Sequence, residues 1–132
     1  MVRYGLLGAG VLSTSLLGLA MFSARASGPV RATNPVPPAS FAVCAACHSV
    51  VSNAPAKIGP NLYGIDGRLA GSQANFSYSP AMKASNIRWN REKLRSFVAQ
   101  PRTVVPGTRM PFGGVQDKAK ADEIVNYLLS LH

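Results

Sequence analysis

From Val50 to Ser79 the sequence is rich in Gly, Pro, Asn and Ser and shows no sustained helix or strand period. A segment of that length without regular structure is uncommon inside a compact domain. The chain has 132 residues, room for one domain, so the segment is not a linker between two. The helical patterns around it are short. One helix is expected from about Pro38 through His48. "SPAMKASN" offers one or two turns with Pro80 at a permitted first position. Asn90 is a plausible N-cap for "REKLRSFVAQ", where Leu94, Phe97 and Val98 share a face and Pro101 stops the helix. "PRTVVPGTRMPFGG" is again irregular. Last, Asp117 caps "DKAKADEIVNYLLSLH", with an apolar stripe of Ile124, Val125, Leu128 and Leu131. The layout is all-α, three or four short helices between long loops. Such helices bury too little apolar area for a domain of this size. Something other than side chains must occupy the middle.

The N-terminal stretch has Arg3, then no charge from Tyr4 to Ala24, and ends in the A-x-A pattern Ala24-Arg25-Ala26. That pattern reads as an export signal over residues 1–26. The uncharged run, residues 4–24, is also long enough to serve as a retained anchor. Either outcome delivers the remainder to the outer side of a bacterial-type inner membrane, the periplasm, with Arg3 left inside. Residues 27–39 carry the prolines of an extended tether, and residues 40–132 form the folded domain. Of 14 basic side chains, Arg3 and Arg25 lie in the leader, which leaves 12 against 5 acidic ones. They are dispersed, with no stripe for nucleic acid. A basic face steering toward an acidic protein partner suits them better, with Lys93 and Arg109 as candidates.

"FAVCAACHSV" holds both cysteines, Cys44 and Cys47, and one of two histidines, His48. A structural zinc site needs about four ligands, and the only other His is His132, a chain terminus expected to face solvent. A thioredoxin-like dithiol wants a preceding strand in a βαβ pattern, which is missing. A disulfide across two residues closes too small a loop to add much stability. The remaining chemistry is covalent haem attachment, in which both thiols add to haem vinyl groups and the adjacent imidazole ligates iron. On a helix, residues three and four apart share a face, so Cys44, Cys47 and His48 reach one porphyrin edge together. Met110, in the Pro- and Gly-stiffened "VPGTRMPFGG", is the candidate for the sixth ligand. Met82, in a helical turn, reads as core filler.

Over nearly all of Phe41 to His132 the sequence resembles class I, mono-haem cytochrome c of the bacterial exported type. "CAACHSV" is similar to the haem attachment site, "IGPNLYGIDGR" to the segment after it, "FSYSP" and "IRW" to the propionate region, "PGTRMPF" to the Met-ligand loop, and "ADEIVNYLLSLH" to the terminal helix. The resemblance implies a cytochrome c fold wrapped around one haem c, covalent through Cys44 and Cys47, with His48 and Met110 as axial ligands. It further implies that the Pro60 carbonyl accepts a hydrogen bond from the proximal imidazole. Tyr78 and Trp89 would meet a propionate, with Arg68 close by. The terminal helix would cross the first one.

The implied function is one-electron transfer between membrane complexes, from a cytochrome bc-type donor to a haem–copper oxidase or other acceptor, with no substrate transformed. Docking would use a basic face at the haem edge, by a monomer that touches membrane only if the leader is retained. A haem domain dedicated to one larger dehydrogenase or oxidase, and a haem enzyme or gas sensor with an open sixth site, are the alternatives. Three departures from the family pattern stand out. Phe97 replaces a frequent tyrosine and Met82 a frequent asparagine, which implies a drier pocket on the Met side and a shifted potential. "PVPPAS" replaces the usual glycine region of the first helix, which leaves Phe41 and Tyr127 to carry the contact with the last.

Overall fold

A computed structural model describes residues 35–132. The expected leader, and the tether up to residue 34, lie outside the described residues. The described elements are a 3₁₀ turn at Ala39–Phe41 and five helices: α1 (Ala42–Ala45), α2 (Pro80–Ala84), α3 (Arg91–Ala99), α4 (Pro101–Val104) and α5 (Lys118–Leu129). Among the described residues no helix is long and apolar enough to cross a membrane.

The caps follow from the sequence. The Asn90 side chain accepts from the Lys93 N–H and starts α3, and Asp117 accepts from Ala119 and Lys120 and starts α5. Ser79 accepts from Met82 N–H, and Pro80 at the first position of α2 has no N–H to leave unpaired. Two expectations are revised. The first helix is shorter than Pro38–His48. Its α portion ends at Ala45, and Cys47 and His48 close a final turn by donating to the Cys44 carbonyl at 3.0 and 2.9 Å. The Cys47 carbonyl cannot extend the helix because it accepts from Gly59 N–H at 2.9 Å. Pro101 does more than stop α3: after Gln100 turns out of helical geometry, Pro101 opens α4 at its own first position.

The core gathers where α3 and α5 pack together and the 3₁₀ turn packs on α5. Ile124, Val125, Leu128 and Leu131 are all buried, as their stripe implied, and Ala121 and Tyr127 join them. Phe41, 1% exposed, meets the Tyr127 ring edge-on at 4.8 Å between centroids. That contact is what the Pro-rich start of the domain retains of the crossing between first and last helices. Arg95 reaches Asp122 across α3 and α5 at 2.9 Å, an exposed pair worth at most ~1 kcal/mol. Met82 is buried within the apolar cluster, as filler should be, and His132 is exposed.

The loops are tied to this core at defined points. Gly64 N–H donates to the Leu131 carbonyl at 2.8 Å, which anchors the long segment to the end of α5. Residues 67–70 run antiparallel to residues 87–89, with a bridge at Leu69 and Arg88. The segment after Met110 returns to α3, where Val115 N–H donates to the Val98 carbonyl at 3.0 Å. Gly114 makes that return possible. Its φ is +97°, and an added Cβ would lie 1.9 Å from the Ala99 carbonyl oxygen.

Phe41→Ala is expected to lower the unfolding free energy by ~3–5 kcal/mol through the lost ring contact and the cavity left behind, read from denaturant titration. Burial raises the Tyr127 phenol above its ordinary value of 10.0. The folded state therefore binds the phenolic proton more tightly than the unfolded chain, and stability falls as pH rises past the unfolded value. Tyr127→Phe should keep the ring contact and flatten that alkaline fall, measured by denaturant midpoints from pH 8 upward to the limit of refolding.

Candidate haem site

Cys44 and Cys47 lie one helical turn apart and are free, half-buried thiols. Burial, and after it the neighbouring Cys47, push the Cys44 thiol above its ordinary value. A dithiol switch needs the reverse, a thiolate made ready by a depressed value. The geometry therefore weighs against redox disulfide chemistry, as the missing strand did. Among the described residues no group of three or more Cys, His, Asp or Glu side chains is placed to hold a metal ion, so a zinc knuckle has no support.

His48 is held by the segment that follows it. Its Nδ1 lies 2.8 Å from the Pro60 carbonyl oxygen, so Nδ1 carries the proton and Nε2 is left free as a lone-pair donor. The two strands of the loop are zipped on either side of that bond. Gly59 N–H donates to Cys47 carbonyl at 2.9 Å and Leu62 N–H to Ser49 carbonyl at 2.8 Å. Burial holds the imidazole below its ordinary value, against the pull of the Pro60 carbonyl, with Lys57 adding a smaller lowering. The ring is accordingly neutral at physiological pH, the form a metal ligand requires. Gly59 lies flat against it: an added Cβ would come within 2.4 Å of His48 Cε1.

Residues 67–70 and 87–89 bring two more expected residues together. Gly67 N–H donates to the Trp89 carbonyl and Trp89 N–H to the Arg68 carbonyl, both at 2.9 Å. Trp89 is buried, with its ring 5.1 Å from that of Phe97, and its indole N–H has no protein acceptor among the described residues. Arg68 is half-buried. It donates to the Asn61 carbonyl at 2.8 Å and the Tyr63 carbonyl at 3.2 Å, and burial draws it below the ordinary guanidinium value while Tyr78 opposes. Burial raises the Tyr78 phenol, with the Arg68 charge and a backbone hydrogen bond at Gln73 acting the other way. Arg68 and Tyr78 are therefore electrostatic neighbours.

Met110 is half-buried and lies outside the apolar cluster, unlike Met82. Its loop is tied to the Tyr78 segment, since the Arg109 guanidinium donates to the Ser77 carbonyl. Hydrogen bonds thus join Met110's loop to Ser77 and join His48 to Pro60, as two separate constructions. Lys93 is exposed on α3 with Glu92 at 3.4 Å. Sequence reasoning missed Asn61. It is 4% exposed and makes three side-chain hydrogen bonds, and only its place in "GPNLYG" hinted at it.

These residues suit a covalently held ring with an iron. Two free thiols share a turn, the adjacent imidazole is neutral with Nε2 uncommitted, and glycine backbone alone is tolerated behind it. Half-buried apolar side chains from separate segments, among them Leu62, Ala81, Ile87, Phe97 and Val104, pack on the core while retaining exposure that a flat apolar cofactor would cover. Gly59→Ala is expected to force the imidazole off Pro60 and to cost ~1–3 kcal/mol by overpacking. Denaturant titration together with the NMR resonance of the His48 ring proton would check both effects.

Comparison with known proteins agrees with this chemistry. The chain is 39% identical to cytochrome c-550 of Nitrobacter winogradskyi over 90 residues, 68% of this chain and 83% of that protein. It is 40% identical over 89 residues to a cytochrome c2 of Rhodoplanes tepidamans, 67% of this chain and 83% of that one. Its structure superposes on cytochrome cH from Methylobacterium extorquens with a TM-score of 0.63 and 38% identity, covering 69% of this chain and 91% of the other. No family model matches the chain. Sequence, fold and the paired cysteines converge: the chain belongs to the cytochrome c family, an electron carrier with one covalent haem c rather than an enzyme.

Proposed function

We propose that His48 and Met110 are the axial ligands of the haem iron, with Arg68, Tyr78 and Trp89 facing the propionates. When bound, the haem supplies an iron that takes up and releases one electron. The observation that carries the His48 assignment is the His48 Nδ1 to Pro60 bond at 2.8 Å, which commits one ring nitrogen and leaves the other as the donor, and Met110 is supported by its half-buried place outside the apolar cluster. The hydrogen bond would make the His48 imidazole a stronger base toward iron, and the Met110 thioether as second ligand would raise the potential relative to a second imidazole. The uncommitted Trp89 indole N–H and the Arg68 charge beside Tyr78 are the donors a propionate carboxylate needs. The chain's own part is to hold these groups before the electron arrives, so little rearrangement accompanies transfer.

The finer reading of its place is a carrier on the outer side of an inner membrane, between a membrane-bound donor and an acceptor oxidase or reaction complex. The leader-like residues 1–26 support that location. Around the cysteine turn, Ile58 at 76% exposure and Val43 at 53% give an apolar centre. Lys57 lies beside it, donating to the Ala45 carbonyl at 2.8 Å, and Arg102 and Arg109 are exposed near the Met loop. An apolar centre with a basic rim suits a short-lived encounter with an acidic partner, weakened by salt.

Met110→Ala is expected to abolish the Met–iron charge-transfer band of the oxidised protein and lower its potential, while Met82→Leu leaves the band in place. A band that survives in Met110→Ala would contradict the assignment.

A further inference from the structure

We infer that Asn61 is a positioning residue for the ligand imidazole: it holds the Pro60 carbonyl against His48 and so helps set the reduction potential. The inference rests on the His48 ligation proposed above and adds a residue that acts through another.

The geometry is that of a hub. Asn61 Nδ2 donates to the Val51 carbonyl at 2.8 Å and to the Ala54 carbonyl at 2.9 Å. Its Oδ1 accepts from the Tyr63 N–H at 2.9 Å. Its own carbonyl accepts from Arg68 at 2.8 Å. The side chain thereby uses both amide protons and one oxygen, close to the full capacity of the group, in a residue only 4% exposed. It shares a peptide unit with the Pro60 carbonyl, so the plane of that carbonyl is fixed by whatever fixes Asn61.

The two carbonyls it ties belong to the segment just after His48, and the carbonyl it steadies is the one His48 donates to. The loop from Ser49 to Tyr63 is therefore closed upon itself at Asn61, with the imidazole bond at its mouth. Asn61 also lines a polar cleft of about 490 Å³ between residues 52–56 and 73–75, so the hub stands at a solvent-facing wall. Backbone bonds from Gly59 to Cys47 and from Leu62 to Ser49 flank the mouth of the loop, and Asn61 is the side chain that ties its far part, Val51 and Ala54, to the Pro60 peptide. Asn53 at the loop tip is exposed and adopts a left-handed conformation, φ +58°, of the kind a turn asks of an asparagine.

A buried amide removed from this hub leaves the Ala54 carbonyl and the Tyr63 N–H without partners and the Val51 carbonyl with the Ala54 N–H alone, and the loop relaxes to let water reach them. The Pro60 carbonyl then tilts, the His48 hydrogen bond lengthens, and the imidazole becomes a weaker base toward iron. Ferric iron loses more than ferrous from a weaker donor, so the potential rises.

The test uses the reduced holoprotein and two variants, Asn61→Ala and Asn61→Leu, the second keeping the side-chain volume; if one fails to mature, the other carries the test. The His48 Nδ1 proton resonance should move upfield in each, and the reduction potential should rise. Phe41→Ala, which loses stability at its contact with Tyr127 and makes no bond to Asn61, should move neither. An unmoved resonance in a holoprotein variant, a potential that stays or falls, or an equal response in Phe41→Ala overturns the inference. Failure of the ligation reading looks different: the wild-type protein would then show no haem-shifted His48 ring resonances.

Discussion

The hydrogen bond between His48 and the Pro60 carbonyl is the constraint on which the rest of the structure depends. It joins the end of the cysteine turn to the start of the long loop, and in doing so decides which imidazole nitrogen is free. Its neighbours are arranged around it. Gly59 leaves its Cβ off so that the ring can lie against backbone, and the Cys47 and Ser49 carbonyls are paired on either side. These choices also cut the first helix short, because a Cys47 carbonyl given to Gly59 is lost to the helix. Local helix stability has been yielded to the placing of the His48 imidazole.

The molecule divides its work between two kinds of packing. Phe41, Leu94, Tyr127 and the stripe of α5 make an ordinary apolar core, stabilised by side chains meeting side chains. The loops around the cysteine turn have no comparable interior of their own. They are held by backbone and amide hydrogen bonds at a few points: Gly64 to Leu131, Gly67 and Arg68 to Trp89, Asn61 to Val51 and Ala54. A covalently attached haem would complete that half by covering its half-buried apolar side chains. The same loops present glycine, proline and neutral imidazole toward it, groups that hold position at little entropic cost.

Much of this was legible in the sequence. The caps at Asn90 and Asp117 could be read because a short polar side chain before an apolar stripe has one local purpose. The stripe of α5 followed from its period, and the partnership of Phe41 with Tyr127 from the want of any other large apolar residue at the domain's start. Cys44, Cys47 and His48 were legible as a set because too few other ligands exist for zinc. What escaped is tertiary in origin. Pro101 is permitted both to end one helix and to begin another, and only the turn at Gln100 decides that it does both. Asn61 carries no pattern of its own, because its three bonds go to carbonyls and an N–H whose proximity only the folded loop creates.

The central claim is that Cys44 and Cys47 are the two covalent anchors of one haem, and the intact mass of the denatured, purified protein tests it most directly. The account predicts a polypeptide heavier than its amino-acid mass by a single haem, with no titratable thiol remaining. A polypeptide at its bare mass with two free thiols, or with one joined by a disulfide to the other, would contradict it.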